Sequence, residues 1–198
     1  MTSTSKIPAT RRRADAERNA ATIVEAALQR IQEDGELNLT SVARAAGVSR
    51  VTLHAHFPTR EALLVAGLRR AVAQLDETIA ALPVDGTVTG ELRTLLRSSW
   101  RFLARWRNLY VVASAAMSQA DLRQYVEPVL GRVEDIVARG QAGGEFRTDL
   151  PGPWLVTTMY ALLHAGTDEL TTGRLTLEQA DDVVVRTVLS LIRRGQPD

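Results

Sequence analysis

The chain has no cysteine in its 198 residues. Disulfides, cysteine-ligated zinc and thiol nucleophiles are excluded at once. It has only three histidines. His54 and His56 stand two apart, so on a helix they diverge, and no third ligand lies near them to complete a metal site. No run of about 18 apolar residues occurs, so no membrane span is expected. The opening residues, MTSTSKIPATRRR, lack the apolar core of a secretory signal, which points to a cytoplasmic protein. A nucleophile elbow, a phosphate-binding loop and a metal cluster are all missing, and His164 alone is left as a catalytic base. No catalytic residue, cofactor or metal is therefore expected.

A further absence is local. From Leu37 to Arg60 there is no Asp or Glu, yet Arg44, Arg50, Arg60, His54 and His56 fall there. The whole chain is 24% charged with a net charge of +1. A solvated face normally mixes both signs. A surface that faces phosphate needs such an acid-free stretch, although chance produces short ones too. The first 60 residues hold nine Lys/Arg against six Asp/Glu.

What is present is apolar residue at helical spacing. With 45% hydrophobic residues the chain can fill a core. Ile23, Val24, Ala27, Leu28 and Ile31 make one stripe, which predicts a helix over 13–33 ended by Gly35. Asn38 is placed to cap a short second helix whose buried face is Leu39, Val42, Ala43 and Ala46. Gly47 is suited to end it and Ser49 to cap a third, which Phe57-Pro58 closes. Two short helices around a glycine turn are the grammar of a helix-turn-helix. A fourth helix is expected from Thr59 to about Leu82. After the composition break at LPVDGTVTG, five more read out over 91–107, 109–118, 121–140, 153–171 and 176–194. The fold class is all-α with about nine helices. It divides into a flexible basic arm (1–12), a DNA-binding head with its linking helix (13–82), and a helical ligand-sensing and dimerisation body (83–198).

On the third helix, Leu53 and Phe57 lie about 40° apart and point to the core. Val51, Thr52 and Ala55 face the other way and are small. His54 and His56 flank this ridge, about 200° apart. A narrow ridge with a donor on each flank fits a major groove, where Val51 and Ala55 meet thymine methyls and Arg50 meets a phosphate or a guanine edge. Ordinary solvated histidines account for His54 and His56 equally well. The expected DNA-binding set is Asn38, Thr40, Arg44, Ser49, Arg50, Val51, Thr52, His54, Ala55, His56 and Arg60.

The run LTSVARAAGVSRVTLHAHFPTREALL resembles the DNA-binding signature of the TetR family of bacterial regulators. The resemblance rests on Val42-Ala43, Ala46-Gly47-Val48-Ser49, Thr52-Leu53-His54-Ala55-His56-Phe57 and Arg60-Glu61-Ala62-Leu63, and covers about residues 13–75. It implies a ligand-responsive, dimeric regulator of transcription. His54 stands where the family usually has a phosphate-contacting Tyr, and Val51 is bulkier than the usual residue. Gly144 to Leu150 is similar to the turn between the family's seventh and eighth helices.

In the body, Leu92, Leu95, Leu96, Ser99, Leu103 and Trp106 share one face of helix five. Arg93, Arg97, Arg101 and Arg105 form a like-charged stripe on another, either solvated or facing an anion. Helix eight is apolar nearly all round, and helix nine carries Val183, Val184, Val185, Val188, Leu191 and Ile192. Two apolar faces imply two burials: the core, and a partner copy in a symmetric homodimer through helices eight and nine. The resemblance implies the same four-helix contact. Trp100, Leu103, Tyr110, Met117, Met159, Tyr160 and His164 are candidates for a small-molecule effector pocket, with plain core packing as the alternative for each. An enzyme, or a helical dimerisation module without DNA binding, are the competing readings. Double-stranded DNA and a small-molecule effector are the expected partners.

Overall fold

The computed structural model describes residues 9–81 and 86–194, with side chains from residue 13 onward. Nine helices follow one another among these residues: α1 (Ala9–Asp34), α2 (Leu39–Ala45), α3 (Arg50–His56), α4 (Arg60–Ala80), α5 (Val88–Arg105), α6 (Arg107–Ala116), α7 (Gln119–Ala142), α8 (Gly152–Thr171) and α9 (Leu177–Ile192). All nine expected helices are present, with ends shifted by a few residues. The largest shift is at the start. Helix α1 begins at Ala9, so Arg11 to Arg13 stand on its first turns, where the sequence reading placed the end of an arm. The rest of that arm, residues 1–8, lies outside the described residues, as does part of the linker at 82–85.

The helix ends follow local chemistry. The Asn38 side chain accepts hydrogen bonds from the Thr40 and Ser41 amides, and Ser49 accepts from the Thr52 amide. Thr59 caps α4 through the Ala62 amide. Each satisfies an amide that would otherwise lack a partner in the first turn. Gly47 holds φ +67°, the left-handed conformation that turns the chain between α2 and α3. Thr176 and Gln179 form a capping box at the start of α9.

There are two cores. The first joins α1 to α4 through Ile23, Leu28, Ile31, Val42, Leu53, Leu63 and Leu64. Helix α6 belongs to it as well, through Trp106, Leu109, Val112 and Ala113. The second joins α5, α7, α8 and α9 through Leu92, Trp100, Val137, Leu155, Met159 and Val188. Close helix approach in the second core depends on small residues. A Cβ at Gly166 would meet Val184 at 2.6 Å and Trp100 at 2.8 Å, and one at Gly140 would meet Phe146 at 2.1 Å.

Polar contacts tie the head to the body. The Asn108 side-chain amide on α6 donates to the Gln32 carbonyl of α1 at 3.0 Å. Arg132 on α7 pairs with Asp76 on α4 at 3.0 Å. Within the head, Arg70 of α4 pairs with Glu25 of α1 at 2.8 Å.

Candidate DNA-binding face and apolar cavity

Helix α3 buries Leu53 and leaves its other residues exposed or half-buried. Val51 is 79% exposed, the most open large apolar side chain of the described residues. Arg50, His54 and Ala55 are exposed beside it, and Thr52 and His56 are half-buried. Thr40 and Arg44 of α2 are exposed as well. The structure thus presents the small ridge and its basic flanks on the outside of the head.

Four members of the expected set are engaged within the head. Asn38 is occupied by its two capping bonds. The Ser49 hydroxyl caps α3 and lies 2.8 Å from the Thr52 hydroxyl. Arg60 donates from Nε to the Leu37 carbonyl at 3.1 Å, which fastens the start of α4 to the loop before α2. These residues hold the frame on which Arg44, Arg50, Val51, His54 and Ala55 are displayed.

A cavity of about 100 Å³ lies in the body between α4, α5, α6, α7 and α8. Of the residues expected there, Leu103, Tyr110, Met159, Tyr160 and His164 line it. Two do not. Trp100 is fully buried against Gly166, on the side of α5 that packs on α8 and α9. Met117 packs on the head core at the end of α6. The sequence reading missed the α4 wall (Leu68, Ala71, Val72, Leu75) and the α7 wall (Leu122, Tyr125, Val126, Val129, Leu130, Val133). Their signal was present as apolar residues at helical spacing, but that spacing marks burial and does not tell a packed face from a cavity wall.

The cavity carries few polar atoms. Ser99 Oγ and His164 Nδ1 are buried without a hydrogen-bond partner among the described residues. His164 lies against Tyr110 and Tyr160, at centroid distances of 4.3 and 4.4 Å. Burial holds the His164 imidazole below its ordinary range, with Asp168 pulling the other way. Burial raises the Tyr160 phenol; Tyr110 adds to the rise, and Arg123 opposes it. Both groups are neutral near pH 7. The arginine stripe of α5 lies on the surface. Arg101 pairs with Asp181 of α9 at 3.4 Å, and Arg105 lies over the Trp106 ring.

This head and body have known counterparts. Residues 23–66 match the family model described as bacterial regulatory proteins, tetR family. The HTH-type transcriptional regulator BetI of Rhizobium meliloti (strain 1021) is 37% identical over 82 residues, 40% of this chain and 40% of that protein. The fatty acid metabolism regulator protein of Bacillus subtilis (strain 168) is 24% identical over 87% of this chain and 93% of the relative. A solved structure of a transcriptional regulator from Saccharomonospora viridis in complex with choline superimposes with a TM-score of 0.74 at 21% identity, covering 90% of this chain and 100% of that one. The structure of FadR from Bacillus subtilis in complex with stearoyl-CoA gives a TM-score of 0.67 at 20% identity, over 89% and 99% of the two chains. Residues 23–66 thus match the DNA-binding domain of the TetR family, and the whole chain shares the fold of these solved regulators.

Proposed function

We propose that the protein is a cytoplasmic, homodimeric repressor, without enzymatic activity, released from a near-palindromic operator by a small, largely apolar ligand. The observation that carries this reading is the exposed α3 ridge of Val51 and Ala55, in a stretch free of acidic residues. A ridge of that width fits the major groove, and the absence of carboxylates removes repulsion from phosphate. Two-fold symmetry in the protein is matched by two-fold symmetry in the site.

A dimer through α8 and α9 is supported by what those helices leave uncovered. Trp154 is 59% exposed and Val183 is 39% exposed. Ala161 and Ala165 continue the outer face of α8, and Thr187 and Ser190 that of α9. Small residues at this spacing let helices of two copies approach closely. The ligand would act in the apolar cavity. Its walls include α4, which runs into the head, and α6, which packs in the head core. A ligand that favours one arrangement of these helices shifts the spacing of the two recognition helices by its differential affinity.

The test is fluorescence anisotropy with a site selected from random DNA. Tight, salt-dependent binding to the selected duplex over a scrambled one supports the reading. Equal binding to both removes it.

A further inference from the structure

The cavity is long and polar at one end. Along α5 its wall runs from Leu95 to Trp106, and along α7 from Leu122 to Val133. Eleven helical steps span roughly 16 Å on each. A space of about 100 Å³ drawn out over that length is thin. Two contacts fix its direction. Arg69 of α4 lies 5.9 Å from the Tyr125 ring, and Asp76 pairs with Arg132. Helices α4 and α7 therefore run side by side in the same direction, with Leu68 and Tyr125 at one end and Leu75 and Val133 at the other.

The two ends differ chemically. The walls near Leu75 and Val133 are aliphatic, and Ser99 of α5 adds one buried hydroxyl along the length. At the opposite end stand Tyr110, Tyr125, Tyr160 and His164, the last with Nδ1 unpartnered. Outside the rings lie two guanidiniums: Arg123 at 5.7 Å from the Tyr160 ring centroid and Arg69 over Tyr125. Neither has a carboxylate within ion-pair distance among the described residues, and no acidic side chain lines the cavity.

We infer that the effector is a single unbranched acyl chain ending in a carboxylate. The chain lies along the cavity toward Leu75 and Val133, and the carboxylate meets His164 and Tyr160 under Arg123. This rests on the cavity being the effector site. A thin aliphatic slot excludes fused rings and admits one extended chain. A hydrogen-bonding group buried without a partner costs free energy that a polar ligand atom recovers. The two guanidiniums lie behind the Tyr125 and Tyr160 rings and do not line the cavity, so they favour an anion over a cation there through their field rather than by contact.

The experiment is calorimetric titration of the full chain with dodecanoate, dodecanol and dodecyltrimethylammonium, each below its micelle concentration. A flat aromatic dye, proflavine, serves as control. Dodecanoate is expected to bind at least about tenfold more tightly than the cation, an ordinary difference where the local field favours one sign of charge. Arg123→Ala is expected to weaken dodecanoate and leave dodecanol unchanged. Val133→Phe, at the far end, is expected to move the preference from dodecanoate to octanoate while keeping the choice of anion over cation. Equal affinity for anion and cation overturns the head-group assignment. Binding of proflavine but none of the chain probes overturns the chain and leaves the cavity as an effector site. If nothing binds, the effector-site reading itself falls.

Discussion

Tyr110 on α6 stacks on His164 of α8, with ring centroids 4.3 Å apart and planes 30° from parallel. The pair joins the two cores. His164 sits in the wall of the body cavity, while Tyr110 rides on a helix whose Leu109, Val112 and Ala113 are packed with the head. Anything that enters the cavity beside His164 must meet this ring. The Asn108–Gln32 bond on the same helix ties α6 to α1.

Replacing Tyr110 by Leu keeps an apolar side chain and removes the stack. Operator affinity without ligand is expected to hold, because leucine keeps an apolar side chain against the head core that Tyr110 packs on. The drop in operator affinity caused by a cavity ligand is expected to shrink by about fivefold or more, within the ordinary range of coupling energies. Operator titrations with and without saturating ligand measure this. An unchanged drop removes the pair from the coupling path.

His164 makes stability depend on pH. Burial lowers its pKa in the folded protein, so the unfolded chain holds the proton more tightly. The stabilising contribution is complete above the unfolded value of about 6.5 and is lost as pH falls below it toward the folded pKa. The thermal midpoint is expected to decline on acidification through this window. His164→Gln should flatten that part of the curve, leaving the carboxylate-driven loss at lower pH. A mutant curve parallel to wild type contradicts the assignment.

The proposed dimer seam has a specific location. Val188 appears on the helix-nine stripe in the sequence, yet it is fully buried in its own subunit, because α9 turns this face to α5 and α8. A charge there tests folding, not association. Val183 is exposed beside Thr187. Val183→Asp is expected to leave helicity and thermal unfolding near wild type while shifting sedimentation from dimer to monomer at micromolar concentration. A wild-type monomer contradicts the seam.

Glycine positions separate conformational cost from steric cost. At Gly47 nothing lies near a built Cβ, so Gly47→Ala carries only the left-handed backbone penalty, about 1–2 kcal/mol. At Gly140 a methyl would lie 2.1 Å from the buried Phe146 ring, and the backbone conformation is ordinary. Gly140→Ala is therefore expected to cost more than Gly47→Ala, by denaturant unfolding. The reverse order would show that the Phe146 turn repacks freely.

Much of this was legible in the sequence, and unevenly. The helix-turn-helix is local: Asn38, Gly47, Ser49 and Pro58 each act within a few residues, so caps and turn follow from spacing. Helix count follows the same way. The cavity does not. Trp100 and Leu103 both lie on α5 three residues apart, yet one packs at Gly166 and the other faces open space. Which face of α5 meets a gap depends on how five helices cross, and no local pattern encodes that. Arg60 shows the same limit. Its charge suggested phosphate, while its Nε is given to Leu37 across 23 residues of chain.

The most direct test of the account is a binding series on the selected operator in varied salt, comparing wild type, Arg44→Ala and Val51→Ala. Arg44→Ala is expected to weaken binding to all sequences alike and to lower the salt slope by about one. Val51→Ala is expected to keep the slope and relax preference at one or two positions per half-site, at roughly 1 kcal/mol or more for each lost contact. If wild type binds selected and scrambled duplexes equally, or if both variants bind as wild type does, α3 is not reading bases and the regulator mechanism built on it is contradicted.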